Sequence, residues 1–242
     1  MRFKYLAGRT MKEIYRDPIT VILGVLMPVL LLLLFSTLMG DNELDQFSPD
    51  NLLPGIVVFS YAFLTMFSAL LLAKDKEQSF LTRLRTSPLR PTDYVLAYTL
   101  PYIPIAIVQT FLCMAAALLI GVTISLHMLT VFVILIPTML VSIGLGLVFG
   151  VLLTENQVSA AGSFVLVIAS LFSGAWMDLR MIGGVFETVG YALPFAHGVD
   201  AARAILAGRG IAGSVIDLVW VLGYAVVLFL VGTVSFRRLL RS

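Results

Sequence analysis

The chain has 242 residues, of which 60% are hydrophobic and 12% are charged, and its formal net charge is +2. A charged fraction this low is about half that of a typical soluble protein, which excludes a soluble helical domain. Most Lys and Arg residues fall in three clusters, at 2–16, 74–90 and 237–241. Because basic loops stay on the cytoplasmic side of a membrane, we expect an integral membrane protein with both termini in the cytoplasm. Nucleic-acid binding finds no support in this pattern, because no basic patch lies outside the membrane flanks.

Residues 1–17 predict an amphipathic helix. Apolar residues recur there at helical spacing, and basic residues fill much of the remaining face; the apolar positions are Phe3, Ala7, Met11 and Ile14. Such a helix lies along the inner membrane surface, where anionic lipid attracts it. Asp17-Pro18 ends it before the first long apolar run. The alternative is a basic flank that only orients the chain.

Six apolar segments are long enough to cross a bilayer, since a hydrocarbon core of about 30 Å takes about 20 residues in a helix. They are Ile19–Gly40, Leu52–Ala73, Tyr94–Gly121, Leu126–Leu153, Val158–Met177 and Ser214–Phe236. Residues 41–51 lack Lys and Arg and are predicted outside, whereas the basic loop 74–93 is predicted inside. We therefore expect an all-α polytopic membrane protein with six spans, forming a single transmembrane domain over residues 1–242.

Special residues inside the spans are few. Pro28 is predicted to interrupt the first span, and Pro101 and Pro104 the third. The fourth span carries a GxxxG pair, Gly146 and Gly150, whose spacing allows close helix packing. No acidic or basic residue lies securely at mid-span, so proton or sodium coupling finds no support and a partner is expected to supply any driving energy. The single cysteine, Cys113, is predicted to pack inside a span.

Residues 77–85 predict a short helix within the basic inner loop. It combines apolar and basic side chains, which suits docking into a groove on another protein. The candidate docking residues are Glu77, Phe80, Leu81, Arg83, Leu84 and Arg85. The alternative is a solvated basic turn.

Residues 178–213, on the predicted outer side, are too apolar for a free loop but contain no stretch long enough to span. Gly183–Leu193 and Phe195–Leu206 have the length of re-entrant or interfacial helices. On the second of these, His197, Asp200 and Arg203 form one polar stripe, and the spacing allows Asp200 and Arg203 to pair. A structural role for this stripe is favoured over catalysis.

Three runs of sequence resemble a known family. Phe172-Ser173-Gly174-Ala175-Trp176 looks like a signature at the end of the fifth span, and Ala192 to Arg203 looks like a proline-initiated helix before the last span. Glu77 to Pro88 is similar to a coupling-helix segment. Together they resemble the permease subunit of type-2 ATP-binding-cassette exporters, which include bacterial drug, polysaccharide and lipid-linked export systems. Ser79–Thr82 and Ala97-Tyr98 depart from the family pattern.

The resemblance implies a partner ATPase and a second permease copy or a similar permease. Residues 1–17 would be the interfacial connecting helix, 77–85 the coupling helix that contacts the ATPase, and 178–213 a cap over the translocation path. The sequence contains no GxxxxGK[ST] motif, so we expect no cofactor in this chain, with ATP and Mg²⁺ on the partner subunit. The protein would lie in the plasma membrane and export a drug, lipid or peptide.

An apolar and aromatic lining is expected for such a path. The candidates are Phe59, Tyr61, Phe63, Phe67, Phe164 and Phe172. The alternative for each is lipid contact or core packing. One competing function is a membrane anchor or sensory subunit that transports nothing. Another, an intramembrane enzyme built on His127, His197 and Ser163, is disfavoured because the sequence offers no metal-ligand motif and no paired carboxylates in the membrane.

Overall fold

The computed structural model describes residues 3–39, 49–78, 89–122 and 126–240. All regular structure within these ranges is helical, with no strand. The α-helices are α1 (Phe3–Tyr15), α2 (Pro18–Met39), α3 (Pro49–Glu77), α4 (Pro91–Thr99), α5 (Tyr102–Leu119), α6 (Leu126–Ile134), α7 (Ile136–Leu152), α8 (Glu155–Phe172), α9 (Leu179–Ile182), α10 (Gly184–Ala192), α11 (Pro194–Leu206) and α12 (Val215–Leu239). A 3₁₀ turn, Ile211–Ser214, leads into α12.

Helices α3 and α7 form the centre of the bundle. They pack against each other; α8 packs on α3, α12 packs on α7, and α2 and α5 also pack on α3. In the most apolar stretches of α3 and of the α6–α7 segment, 67% of residues are buried, compared with 17% for the last span. The exposed side chains of α12 are nevertheless mostly aliphatic or aromatic. This distribution fits a bundle whose outer helices meet lipid.

The α3–α7 interface depends on two glycines. A Cβ atom at Gly146 would lie 1.9 Å from Ser68 Oγ and 2.5 Å from the carbonyl oxygen of Thr65. A Cβ at Gly150 would lie 2.8 Å from the carbonyl oxygen of Ala69. Because these obstacles include backbone atoms of α3, the two helices reach their separation only with glycine at both positions. The packing role predicted for the GxxxG pair is confirmed.

Five helical segments among the described residues are long and apolar enough to cross a membrane. They are Asn51–Glu77, Pro91–Leu119, Leu126–Leu152, Glu155–Phe172 and Ile211–Leu239. The predicted first span coincides with α2, whose apolar stretch Val21–Thr37 is shorter than the other five. Multiple membrane spans are therefore supported, and a sixth crossing stays a prediction.

Pro28 does not interrupt α2, which runs as one helix from Pro18 to Met39. Proline has no N–H to give to the carbonyl four residues earlier, which is that of Gly24. The side-chain amide of Gln109, on α5, replaces the missing donor: its Nε2 lies 3.0 Å from the Gly24 oxygen and 3.2 Å from the Ser60 oxygen. A donor from another helix thus allows α2 to continue through the proline.

The third and fourth predicted spans are each divided in two. The predicted break at Pro101 is present, since α4 ends at Thr99 and α5 begins at Tyr102. A second break at Leu135 separates α6 from α7, and Pro137 follows it in the first turn of α7. Sequence analysis missed this second break because the apolar run continues across it.

Replacing Gly146 with Ala should lower the thermal unfolding midpoint of the purified protein in mild detergent. The added methyl group meets α3 backbone, and overpacking of this kind costs about 1–3 kcal/mol. The matched control is Gly223→Ala in α12, where a Cβ meets nothing within 4 Å. That control should be neutral or slightly stabilising, because alanine favours helix over glycine. Equal midpoints for the two variants would contradict the close packing of α3 against α7 at Gly146.

Candidate functional site

A buried ion pair ties α1 to the centre of the bundle. Asp75, only 1% exposed, binds the guanidinium of Arg9 and accepts a hydrogen bond of 2.6 Å from the Tyr98 hydroxyl. Arg9 also pairs with Glu13, one turn further along α1, at 3.2 Å. Burial alone would lower the pKa of Arg9, but its hydrogen bond and charge interaction with Asp75 outweigh burial and raise the pKa. Helices α1, α3 and α4 therefore meet at one carboxylate.

The second span extends beyond its predicted end at Ala73 and includes Asp75. Residues 74–77 are charged and were expected in the inner loop, yet α3 continues to Glu77. Asp75 lies on the same helical face as Leu72, which is fully buried, so its carboxylate points into protein and not into solvent. A buried carboxylate needs a paired cation, and Arg9 supplies it.

A cavity of about 240 Å³ lies at the same end of the bundle, among α1, α2, α3, α5 and the start of α8. We call it the α1 cavity. Its wall is mostly apolar and comes from α2, α3 and α5, including Val21, Phe63, Phe67 and Ile105. Its charged lining residues, which we call the rim, come from α1, the turn between α1 and α2, the end of α3 and the start of α8: Glu13, Arg16, Asp17, Lys74 and Glu155. A lining that combines apolar residues with residues of both charges is complementary to an amphipathic molecule.

Three of the six path candidates form an aromatic column on α3. Phe59 and Phe63 meet edge to face with ring centroids 5.8 Å apart, and Phe63 lies 6.3 Å from Phe67. Trp176 continues the column beside Phe59 at 5.6 Å. All three phenylalanines are half-buried, and two of them line the α1 cavity.

The other three path candidates lie apart from the column. Tyr61 is 2% exposed, and its hydroxyl makes a 2.6 Å hydrogen bond with Thr110 on α5. Phe164 is 65% exposed on α8, and Phe172 stacks on Phe186 at 5.2 Å. The structure thus does not bring the six together around one space.

Of the candidate docking residues, Glu77 is the last residue of α3. The rest lie outside the described residues: Phe80, Leu81, Arg83, Leu84 and Arg85. Their role stays a prediction.

A polar cluster occupies the opposite end of the bundle, around α11. Asp200 accepts a 2.5 Å hydrogen bond from the Tyr191 hydroxyl and pairs with Arg180 at 3.2 Å. His197 Nδ1 lies 2.7 Å from an Asp217 carboxylate oxygen, and its ring stacks on Trp220 with centroids 5.4 Å apart. We call these residues the α11 cluster.

Asp200 and Arg203 do not form the ion pair that their spacing allows. The carboxylate of Asp200 instead takes Arg180, which approaches from α9. Arg203 points elsewhere: its Nε donates to the Asn51 carbonyl at 3.1 Å, and its Nη2 lies 3.5 Å from the Ala175 carbonyl oxygen. Burial lowers the pKa of Arg203 despite the nearby acidic groups. Arg203 therefore joins α11 to the start of α3 and to the loop after α8.

Ala175 lies within the run that ends the fifth predicted span. In this run α8 stops at Phe172, and Gly174 has a φ of +72°, a conformation that glycine adopts without strain. Gly55 on α3 packs against the backbone of Ala175: a Cβ there would lie 2.4 Å from its carbonyl oxygen. The turn is thereby fixed against the central helix.

Sequence analysis missed several polar residues that the structure brings together. Arg180, Tyr191 and Asp217 come from three helices separated in sequence, so local spacing gave no sign of their contact. Lys76 was assigned to a loop with its charged neighbours. The described residues contain no group of three or more His, Cys, Asp or Glu side chains placed to hold a metal ion.

Comparison with known proteins identifies the architecture. A model of the family described as ABC-2 type transporter matches residues 1–207. The chain belongs to this family. Its members are membrane components of ABC transporters.

Two curated relatives share part of this sequence, and both are named "Putative transport permease ycf38". The protein from Pyropia yezoensis is 30% identical over 124 residues, which is 49% of this chain and 43% of that protein. The protein from Cyanophora paradoxa is 31% identical over 123 residues, covering 48% of this chain and 42% of that protein. The matched region thus spans less than half of each relative.

The His197–Asp217 contact should make stability depend on pH. Burial alone would lower the pKa of His197, but its hydrogen bonds with Asp217 and the Tyr191 carbonyl, with the charges of Asp217 and Asp200, raise it. A raised pKa adds stability that is fully present below the unfolded value of about 6.5 and is lost as pH rises through the folded value. The unfolding midpoint of the wild type should therefore exceed that of His197→Gln by more at pH 6 than at pH 8.5.

The control for this comparison is His127→Gln. His127 is the other histidine of the chain and is exposed at the start of α6. Its replacement should leave the pH dependence of the midpoint unchanged. A pH dependence that persists in His197→Gln would assign it to other groups.

Proposed function

We propose that this chain is the membrane half of an exporter that moves an amphipathic substrate out of the cytoplasm. A separate ATPase subunit supplies the energy, and two permease copies, or this one and a similar permease, enclose the path in the plasma membrane. The α1 end of the bundle faces the cytoplasm. The observation that carries the substrate class is the α1 cavity, whose lining combines aromatic and charged side chains.

The cavity suits an amphiphile on physical grounds. A purely apolar molecule would contact Phe63 and Phe67 but gain nothing from the charged rim, whereas a small polar molecule would gain nothing from the two aromatic rings. A molecule with an apolar body and a polar head satisfies both surfaces. The α3 aromatic column leads from the cavity toward Trp176, and we propose that it lines the first part of the route.

Docking of the ATPase is assigned to residues 77–85. This segment begins where α3 ends, close to the Arg9–Asp75 pair that anchors α1. A force applied to it therefore acts directly on the central helix. ATP-driven closure of the ATPase would displace α3 and reshape the path.

Reversing charge in the docking segment, with Arg83→Glu and Arg85→Glu, should abolish co-purification of the ATPase in mild detergent. The expected loss is at least tenfold, because each reversal replaces an attraction with a repulsion at the contact. The measurement is quantitative mass spectrometry of the purified complex. Reversal of Arg237 and Arg238, at the end of α12, is the matched control and should leave association intact. Association that survives the first reversal would remove the docking assignment.

Amphipathic compounds should stimulate ATP hydrolysis by the reconstituted complex. Phe67→Ala should weaken this stimulation several-fold by removing apolar wall area, and Phe111→Ala, a matched change on the exposed face of α5, should not. Suitable probes are a short-chain fluorescent phospholipid and a cationic amphiphile. A complex that assembles but responds to neither probe would favour the anchor or sensory function.

A further inference from the structure

Helix α3 ends in two adjacent side chains of opposite charge, and each binds the end of a different helix. Lys76 Nζ donates hydrogen bonds to the carbonyl oxygens of Gly150 (3.2 Å), Val151 (3.0 Å) and Leu153 (2.5 Å). These carbonyls lie at the C-terminal end of α7, where the helix provides no N–H partners. One ammonium group with three N–H donors therefore satisfies three acceptors.

Glu77 makes the complementary contact. Its Oε1 accepts a 2.8 Å hydrogen bond from the backbone N–H of Glu155, the first residue of α8. Thr154 and Gln157 satisfy further groups of the same helix start through a capping box, with contacts of 3.0 and 3.4 Å. Glu77 thus supplies an acceptor for the Glu155 N–H, which the capping box leaves without one.

The signs of both charges match the helix ends that they bind. A helix carries partial negative charge at its C-terminus and partial positive charge at its N-terminus. Lys76 lies at the C-terminus of α7, and Glu77 at the N-terminus of α8. Exchange of the two residues would place like charges together at both ends. We call Lys76 and Glu77 the α3 clamp.

The α3 clamp lies between the proposed docking segment and the α7–α8 turn. Only Gln78 separates it from residues 79–88, which hold most of the proposed docking segment. The contacts at Gly146 and Gly150 already hold the second half of α7 against α3. The clamp adds a contact where α7 turns into α8. A displacement of α3 at Glu77 therefore carries the α7–α8 turn with it.

We propose that the α3 clamp transmits ATPase movement from the docking segment to the α7–α8 turn. Lys76 and Glu77 are positioning residues in this scheme and do not touch the substrate. The inference rests on the proposed docking function, because the force must enter through residues 77–85. It predicts that α7 and α8 respond to nucleotide only while the clamp is intact.

The first test uses the permease alone in detergent and measures backbone hydrogen exchange over residues 150–160 by mass spectrometry. Lys76→Met removes the ammonium group but keeps an unbranched apolar side chain. It should speed exchange in this region about tenfold, which corresponds to about 1.4 kcal/mol of lost protection. Lys76→Arg should retain most of the protection. Wild-type exchange rates in Lys76→Met would overturn the clamp, whatever the ATPase does.

The second test repeats the measurement on the complex with its ATPase, with and without ATP and orthovanadate. In the wild type, trapped nucleotide should change exchange in both 79–88 and 150–160. In Lys76→Met the change should persist in 79–88 and disappear from 150–160, and Lys76→Arg should restore it. Loss of transmission with docking intact is a result that a purely structural role would not produce.

Lys12→Met is the matched control, since Lys12 is an exposed lysine of α1. It should behave as wild type in both tests. An unchanged nucleotide response of 150–160 in Lys76→Met would overturn the inference while leaving docking standing. Absence of any response in 79–88, even in the wild type, would contradict the proposed function and with it this inference, while the first test would still report on the contact itself.

Discussion

Close approach of α3 and α7 at Gly146 and Gly150 is the constraint on which the rest of the bundle depends. The approach brings backbone against backbone, so the central pair leaves no room for a side chain at either glycine. With that pair fixed, α8 and α12 cover its two flanks, and α2 and α5 pack onto α3. In lipid, where apolar side chains gain little by meeting one another, such backbone contact is a principal source of helix association.

Among the residues that the structure describes, charged groups lie at the two ends of this apolar bundle, where they join helices that are distant in sequence. At the α1 end, Asp75 pairs with Arg9 and accepts a hydrogen bond from Tyr98. At the α11 end, Asp200 and His197 gather partners from α9, α10 and α12. These contacts join segments that are far apart in the sequence, so they fix the relative positions of the helices at each end.

Hydropathy predicted most of the helices because membrane spans need long apolar runs, and Pro101 broke the third span as expected. What the sequence could not reveal were contacts between elements. The sequence predicts a loop at residues 74–77, because charged residues usually mark the end of a membrane span. In the structure α3 continues to Glu77, and Asp75 and Lys76 bind groups on α1 and α7. Asp200 and Arg203 are spaced so that they could pair on one helix. Asp200 instead binds Arg180, and Arg203 binds backbone carbonyls of other segments. In each case the side chain's partner comes from a segment distant in sequence, which a local sequence pattern does not reveal.

The bond between Gln109 and the Gly24 carbonyl has a consequence for how this sequence can vary. Pro28 creates the unsatisfied carbonyl, and Gln109 satisfies it from another helix, so the two positions form one unit although they are 81 positions apart in the sequence. A chain that lost the proline would regain an internal donor for Gly24 and release the amide. A chain that lost only the amide would leave a bare carbonyl within an apolar interior. Substitution at 109 is therefore tolerated more readily after substitution at 28 than before it, which imposes an order on the mutational path.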